Sequence, residues 1–223
     1  MTNCVLVVAA HTDDEALGCG GTIVRHVKEG DTVYAVFMAD GVTSRSGAGP
    51  NELTNRNSVA ENASHILGIK ERFYLGLPDN QMDSIPLLEV IQKLEPIIER
   101  LKPNIIYTHY HGDLNVDHRI THQAVMTACR PLPGSSVRAI YTFEVMSSTE
   151  WATLGMRPFT PDHFVNISDY LSIKLRALKE YQEEMREIPQ SRNIQHIEYL
   201  AYHRGYSVGI CAAEAFMTVR TIR

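Results

Sequence analysis

Two clusters of histidine and carboxylate side chains lie far apart in the sequence, and each directly follows a short apolar run. The first cluster is "HTDDE", residues 11–15, which follows the run 4–10. The second is "THYHGDLNVDHR", residues 108–119, which follows the letters "NIIY". Catalytic zinc sites use three ligands drawn from histidine and carboxylate side chains and keep one position open for water. The two clusters together therefore predict a metal site built from two loops.

The spacing within each cluster separates candidate ligands from a candidate base. His11 and Asp14 lie three residues apart on a predicted tight turn, so both side chains can face one ion. Asp13 lies between them, points elsewhere and is available for proton transfer. His118 can add a third ligand from the second cluster, with Asp117 as an orienting carboxylate. Two nitrogens and one oxygen suit Zn²⁺, and Fe²⁺ and Co²⁺ are alternative ions.

Other interpretations of these clusters fit less well. Asp113, Asn115 and Asp117 match the opening D-x-N-x-D of a calcium-binding EF-hand loop. The sixth position of that loop is His118 rather than glycine, and the twelfth is Ala124 rather than glutamate, so the pattern fails where it is most constrained. The stretch "GCGGT" after the first cluster matches neither a dinucleotide fingerprint nor a P-loop. Its glycines are expected to allow close packing of the first helix instead.

Apolar runs rich in β-branched residues alternate along the chain with helical patterns. The predicted strands are residues 4–10, 32–38, 72–75, 104–108 and 138–143, and the predicted helices between them are residues 20–28, 51–67, 85–101 and 118–129. Two further helices are predicted at residues 168–187 and 193–206. This alternation is typical of βαβ units and a mainly parallel sheet. Parallel strands present their carboxyl ends at one edge, so both polar clusters are expected to meet there.

The chain is expected to form one domain, residues 1–223, because its length suits a single α/β domain and no repeat or low-complexity linker interrupts it. Two long connections, residues 40–51 and 144–162, break the alternation of strands and helices. Long connections within a compact domain often border a binding site. We expect both of them to shape the pocket.

Composition excludes several classes of partner. The net charge is −5 and the basic residues are scattered, so no surface for a nucleic acid or an anionic membrane is indicated. No segment approaches the about 18 uninterrupted apolar residues that a membrane-spanning helix needs. The N-terminus lacks the basic region of a signal peptide, and the four cysteines show no CxxC spacing. A cytoplasmic protein that acts on a small molecule or a glycan is expected.

The two clusters, with several shorter stretches, resemble one known family. "AHTDDEALGCGGT" is similar to the A-H-P-D-D-E…GGT signature of the PIG-L/LmbE-like zinc de-N-acetylases, and "HGDLNVDHR" resembles their second motif, which ends in D-H-R. "MADG", "RNSVAENASHILGI", "LGLPDN" and "AEAF" follow in the same order as in the family. The resemblance spans most of the chain.

The resemblance implies an α/β fold, a Rossmann-like three-layer sandwich with a mainly parallel sheet. It implies that zinc is held by His11, Asp14 and His118, that Asp13 is the general base, and that Asp117 supports the site from behind the ligands. The family's sugar-contacting residues match Arg56 and Asp79 here.

The expected activity is hydrolysis of the N-acetyl group of an aminosugar, a glycoconjugate or a nucleotide sugar, with release of acetate. A zinc amidase acting on a non-sugar amide and a non-catalytic carbohydrate- or nucleotide-binding homologue are the alternatives. Relatives often form homo-oligomers, which makes one an expectation here as well.

The chain departs from the family pattern at two positions. Thr12 stands where proline is common, and a residue other than proline fixes the turn between the ligands less firmly. Asn115 stands where many members have the first histidine of H-P-D-H, which stabilises the oxyanion of the reaction. Asn115 itself, His111 or His109 could donate a hydrogen bond or a proton there, and of these His111 is favoured.

Overall fold

The computed structural model describes residues 2–41, 50–153 and 155–222, which form one seven-stranded sheet and six α-helices. The strands are β1 (Cys4–Ala9), β2 (Thr32–Ala39), β3 (Glu71–Leu77), β4 (Ile105–His109), β5 (Ala139–Phe143), β6 (His163–Asn166) and β7 (Ala213–Thr221). The helices are α1 (Asp14–Lys28), α2 (Pro50–Leu67), α3 (Leu87–Leu101), α4 (Val116–Ala128), α5 (Leu171–Glu180) and α6 (Ile194–Tyr206). Residues 42–49 of the predicted connection 40–51 lie outside the described residues.

The strands lie in the order β3-β2-β1-β4-β5-β7-β6. Strands β1 to β5 are parallel, whereas β7 is antiparallel to both of its neighbours, β5 and β6. From β1 the chain adds β2 and β3 on one side of the sheet, and then adds β4 and β5 on the other side. The order of the strands therefore reverses between β1 and β4. Ligands of such sheets bind in the crevice beyond the carboxyl ends of the strands at this point.

Strand β1 lies at the centre of the hydrophobic core and is buried on both faces. Val5 and Val7 pack in one apolar cluster with helices α1, α2 and α5, whereas Leu6 and Val8 pack in another with helices α3 and α4. A strand covered on both faces needs apolar side chains on both, which explains the uninterrupted run "VLVVA". The predicted α/β three-layer sandwich with a mainly parallel sheet is confirmed.

The five predicted strands are confirmed, each to within two residues at either end, but two strands were not predicted. Strand β6 has four residues, and β7 pairs with β6 and β5 in the antiparallel direction. Such short or mixed strands depend on pairing across the sheet, so the local apolar pattern alone does not reveal them. Among the described residues, no helix combines the length and apolar character needed to cross a membrane.

The prediction of one helix over residues 168–187 was wrong, because helix α5 ends at Glu180. Beyond it the chain turns, and two buried side chains of this turn form polar contacts with other parts of the protein. The Tyr181 hydroxyl donates a hydrogen bond to Glu15 Oε1 (2.7 Å), and Glu184 accepts one from Arg56. These contacts are tertiary, and nothing in the helical periodicity of the segment indicates them.

Helix α1 begins at Asp14, six residues before the predicted start at Gly20. Its backbone leaves the helical conformation at Cys19 (φ −145°, ψ 23°) and resumes it afterwards. The glycine-rich sequence has low intrinsic helix propensity, which is why the pattern alone placed the start too late. Tertiary contacts at the break maintain the longer helix.

A carboxylate from the opposite end of the chain caps the second part of α1. Glu214 of β7 accepts the backbone N–H groups of Gly21 (2.9 Å) and Thr22 (2.7 Å). Lys174 of α5 donates to the same carboxylate (2.6 Å) and to the carbonyl of Leu17 (2.8 Å). Glu214 belongs to the stretch "AEAF", so this stretch has a structural role: it holds α1 against the sheet.

The glycines of α1 allow neighbouring side chains to approach closely. A Cβ atom at Gly18 would lie 2.3 Å from the ring of Phe143, and one at Gly21 would lie 2.8 Å from Ile167. The expectation that these glycines serve packing is confirmed. They fix how α1, and with it Asp14, lies on the sheet.

Candidate active site

The two polar clusters meet at the carboxyl ends of β1 and β4, as expected. His11 follows β1 by two residues and Asp14 begins helix α1, while His118 lies in the first turn of α4. Asn115 caps α4, its side chain accepting the N–H of Asp117 (2.8 Å). The turn after β1 and the start of α4 thus bring together residues separated by about a hundred positions.

His11, Asp14 and His118 place one candidate ligand atom each within 4.8 Å of one another, and we call them the His–Asp group. His11 Nδ1 lies 3.3 Å and His118 Nε2 lies 3.4 Å from Asp14 Oδ2. All three side chains are buried. Within the described part of the chain, His118 Nε2 and Asp14 Oδ1 have no hydrogen-bond partner. Such atoms are costly in a protein interior, and a divalent ion satisfies them, so this donor set fits a metal.

Neighbouring carboxylates raise the pKa values of both histidines of the His–Asp group. Burial lowers the pKa of His118, but Asp14 and Asp113 raise it, to about 9. Burial likewise opposes the charge on His11, but Asp117, Asp14 and Asp79 raise its pKa well above the ordinary value. Without an ion His118 therefore holds a proton at neutral pH, and a metal must displace it.

Asp113 orients His118 and was not predicted to belong to the site. Its Oδ1 lies 3.1 Å from His118 Nδ1, and it accepts hydrogen bonds from the hydroxyls of Ser148 and Thr149 (2.6 Å to Thr149). Burial raises the pKa of Asp113, but His118 and these bonds lower it to about 2. A carboxylate on Nδ1 directs Nε2 toward a metal. The hydroxyls come from the connection after β5, so local sequence gave no signal for this role.

Asp117 contacts His11 and the loop after β3, and not His118, its neighbour in sequence. Its Oδ2 accepts the N–H of Asn80 (2.7 Å) and lies 3.1 Å from His11 Nε2, while Oδ1 accepts the N–H of Met82 (3.0 Å). Asp79 Oδ1 lies 3.2 Å from the same nitrogen of His11. His11, Asp79 and Asp117 therefore form a second close acidic group. In it, Asp117 fixes the ring of His11 and leaves Nδ1 directed at Asp14.

Asp13 does not belong to the His–Asp group, although it is the residue before Asp14. It is 1% exposed, and its backbone has a positive φ of 111°, unusual for a residue with a side chain. Burial raises the pKa of its carboxyl and Arg192 lowers it, with a result of about 6. A carboxyl with this pKa is mostly ionised at neutral pH and can accept a proton, as a general base requires.

A polar cavity of about 200 Å³ opens beside these residues. Its lining residues are His11, Asp13, Gly41, Arg56, Asp79, Asn80, Asn115, Glu184 and Arg192. The predicted substrate-contacting residues, Arg56 and Asp79, both reach it. Asn80, Glu184 and Arg192 were not predicted; they come from a turn and from the connection between α5 and α6, where sequence gives no catalytic signal.

Arg56 also secures the turn that carries His11 and Asp14. Its Nε donates to the Thr12 hydroxyl (2.8 Å), its Nη2 to the Thr12 carbonyl (3.0 Å), and its Nη1 to Glu184. Thr12 is 2% exposed. The threonine in place of proline thus gains a side-chain hydrogen bond that proline could not form, and this bond fixes the turn.

The two histidines considered as oxyanion donors do not line the cavity. His111 is exposed, and its ring lies against Tyr110 (4.5 Å between ring centroids) and His122 (5.6 Å). His109 is buried against His118, its Nε2 accepts the N–H of Ala10 (2.8 Å), and burial lowers its pKa to about 4. Of the three residues considered, Asn115 alone lines the cavity.

Fold and site together define a Rossmann-like α/β protein with a two-histidine, one-aspartate metal-binding group at the sheet's crevice. The sequence pattern of the family "PIG-L: GlcNAc-PI de-N-acetylase" matches residues 6–129, more than half of the chain. The chain belongs to this family. The "Probable N-acetyl-alpha-D-glucosaminyl L-malate deacetylase 2" of Bacillus cereus is 31% identical over 191 residues, which cover 81% of this chain and 83% of that protein.

Solved structures show how widely the fold is used. The N,N'-diacetylchitobiose deacetylase of Pyrococcus horikoshii has a TM-score of 0.78 and 22% identity, covering 98% of this chain and 84% of its own. The 4-carboxy-2-hydroxymuconate hydratase of Pseudomonas putida KT2440 also has a TM-score of 0.78, with 20% identity, covering 100% of this chain and 98% of its own. At these identities the likeness shows the fold, and the chemistry must be argued from the site.

Proposed function

We propose that this chain, acting as a single domain, is a metal-dependent N-deacetylase that hydrolyses the N-acetyl amide of an aminosugar conjugate and releases acetate. The observation that carries the proposal is the arrangement of two carboxylates on consecutive residues. Asp14 belongs to the His–Asp group, whereas Asp13 faces the polar cavity with a pKa of about 6. Membership of the de-N-acetylase family supports the same reaction.

His11, Asp14 and His118 are the proposed metal ligands, and Zn²⁺ is the proposed ion, with Fe²⁺ and Co²⁺ as alternatives. Two imidazole nitrogens and one carboxylate oxygen are a donor set that catalytic zinc uses. A divalent ion bound there supplies Lewis-acid chemistry, acidifying water and polarising an amide carbonyl. Asp113 and Asp117 hold the two imidazoles in the required orientation through hydrogen bonds.

Asp13 is the proposed general base. Its carboxylate removes the proton of the water that attacks the acetamide carbon, and the same proton is then delivered to the nitrogen of the leaving amine. One water is consumed, the C–N bond breaks, and acetate and a free amine result. The side-chain amide of Asn115 is the proposed donor to the carbonyl oxygen. His111 does not line the cavity, so it is not proposed for this role.

The proposed substrate is an aminosugar whose remaining portion lies outside the cavity. The lining is almost wholly polar, and its volume of about 200 Å³ is below the roughly 300–1,000 Å³ typical of pockets that enclose a drug-sized ligand. Arg56 and Asp79 are the proposed contacts to the sugar. The relative named as a probable deacetylase of an N-acetylglucosaminyl malate supports a conjugate as substrate. A cytoplasmic location and a homo-oligomer are retained as proposals from sequence.

An acetate-release assay tests the function. The zinc-loaded protein is incubated with a panel of N-acetylated sugars, nucleotide sugars, glycoconjugates and non-sugar acetamides, and the metal-free protein serves as a blank. We expect acetate from at least one aminosugar compound. Asp13→Asn should lower that rate about 10²- to 10⁴-fold while retaining zinc. Asp83→Asn, which changes an exposed carboxylate, is the matched control and should remain active.

Three outcomes would contradict the proposal. Full activity of Asp13→Asn would remove Asp13 as the base. Hydration of 4-carboxy-2-hydroxymuconate, with no acetate from any compound of the panel, would assign the chain to the chemistry of the hydratase that shares its fold. Acetate from the non-sugar acetamides alone would favour the amidase alternative.

A further inference from the structure

Among the residues that the structure describes, the carboxylate of Asp13 accepts one hydrogen bond. Its Oδ2 accepts a hydrogen bond from Arg192 Nη1 (3.0 Å), an ion pair between two largely buried side chains. Its Oδ1 is buried and has no hydrogen-bond partner within the described ranges. The two oxygens of one carboxylate are therefore distinct, one bound and one unbound.

The backbone of Asp13 is fixed by other means. Its N–H donates to Glu15 Oε2 (3.0 Å), and its carbonyl accepts the N–H groups of Ala16 (3.0 Å) and Leu17 (2.9 Å). These bonds all come from the first turn of α1 and hold the positive φ of the residue. They do not determine the rotation of the side chain, which leaves Arg192 as the group that does.

Arg192 is itself anchored at a second point. Its Nε donates to the Ser147 hydroxyl (2.8 Å), which belongs to the connection after β5. The Ser147 N–H in turn donates to Glu150 Oε1 (2.6 Å), which also accepts the hydroxyl of Ser191 (2.5 Å). The guanidinium is thus clamped between Asp13 and a loop that is itself tied to the residue before Arg192.

The other guanidinium of the cavity cannot serve the same purpose. Arg56 directs its three nitrogens at Thr12 and Glu184 and donates no hydrogen bond to Asp13 among the bonds described. It fixes the turn from outside, whereas Arg192 contacts the reacting carboxylate itself. The two arginines have separate roles.

We propose that Arg192 is a positioning residue for the base: it binds Oδ2 of Asp13 and thereby presents Oδ1 as the oxygen that exchanges the proton. The proposal rests on the proposed function of Asp13. A planar guanidinium held at two points, Asp13 and Ser147, is suited to such positioning, since small displacements of a catalytic group cost about 10²-fold in rate. A segment far from both sequence motifs thus completes the base.

The test compares Arg192→Ala, Arg192→Lys and Ser147→Ala with Arg186→Ala, which removes an exposed arginine of the same connection. For Arg192→Ala we expect kcat to fall about 100-fold with KM and zinc content unchanged, and methylguanidinium added to the assay to restore part of the rate. Arg192→Lys should retain more activity, and Ser147→Ala should lose less than tenfold. Arg186→Ala should match the wild type.

Other results would overturn the proposal. A rise in KM with unchanged kcat would make Arg192 a substrate contact, and wild-type kinetics of Arg192→Ala would remove the role. Melting temperatures of all variants separate these effects from unfolding.

The crystal structure of the Arg192→Ala protein is the readout independent of activity. Rotation of the Asp13 side chain away from its wild-type orientation supports the proposal, and an unchanged orientation overturns it. If the wild type released no acetate from any compound, the proposed function would fail while this structural comparison would still decide whether Arg192 positions Asp13.

Discussion

Buried charged side chains contact helix α1 at two places, and the two places differ in how their polar atoms are satisfied. At the break in the helix, Lys174 and Glu214 form one ion pair, and both also bond to the backbone of α1. At the start of the helix lies the His–Asp group, where two histidines surround one carboxylate and two buried atoms have no partner within the described residues.

The difference separates a structural use of buried charge from a functional one. A buried polar network in which every group has a partner rigidifies the fold, whereas one left partly unsatisfied retains affinity for something else. The Lys174–Glu214 pair ties α1, α5 and β7 together. The His–Asp group, at the same helix, retains ligand atoms for an ion. The fully bonded pair keeps the incompletely bonded group in place.

The largest effect is expected from His118→Ala, which removes one ligand of the His–Asp group. The variant should lose stoichiometric zinc and nearly all acetate release, because two protein ligands do not make a catalytic zinc site. Zinc at a hundredfold excess over Kd should raise the free energy of unfolding of the wild type by about 2.7 kcal/mol. The variant should lose this stabilisation and the higher melting temperature that accompanies it. Metal analysis and thermal unfolding check this. Full zinc occupancy in the variant would contradict the ligand set, and His65→Ala, at an exposed histidine, is the control.

Breaking the Lys174–Glu214 pair should lower the free energy of unfolding rather than the affinity for zinc. Lys174→Met leaves Glu214 buried without its positive partner, and such a break costs about 3–5 kcal/mol. Urea denaturation of the metal-free protein measures it, with Lys179→Met, an exposed lysine on the same helix, as control. Zinc should still stabilise the Lys174→Met protein. A change below about 1 kcal/mol would show that the pair does not hold α1.

A smaller effect is expected from Asp113→Asn, which weakens a partner of the His–Asp group without removing a ligand. The neutral amide is a weaker acceptor for the Nδ1–H of His118, so Nε2 becomes a less basic and less firmly oriented ligand, and zinc affinity should fall about 10- to 100-fold. Competition against a chelator of known affinity gives the measurement. Unchanged affinity would mean that Asp113 serves the fold alone.

The mildest test changes only pH. In the metal-free protein the pKa of His118 is raised to about 9 from an ordinary 6.5, so its contribution to stability is complete below pH 6.5 and is lost as the pH rises through about 9. Zinc affinity should change in the opposite direction, rising over that window as the proton competes less. Calorimetry in buffers of different ionisation enthalpy would detect the released proton. An affinity independent of pH between 6.5 and 9 would contradict this coupling.

Local pattern and residue type are enough to predict several features of this protein. The apolar run of β1 predicts a strand buried on both faces, and His11, Asp14 and His118 at strand ends predict a metal site, since their chemistry is carried by the residue types. The sequence also predicted Asp13 as the base. These features need no knowledge of which distant segment lies beside them.

The groups that support those residues become visible only in the folded protein. Contacts between segments far apart in the sequence are made by Asp113, by Arg192 and by the Lys174–Glu214 pair. His111, which the sequence predicts as an oxyanion donor, is exposed and does not line the cavity. The physical reason is that a hydrogen bond or an ion pair depends on distance and direction in space. Sequence spacing fixes both within one turn of helix or one strand, and packing of the whole sheet fixes them beyond it.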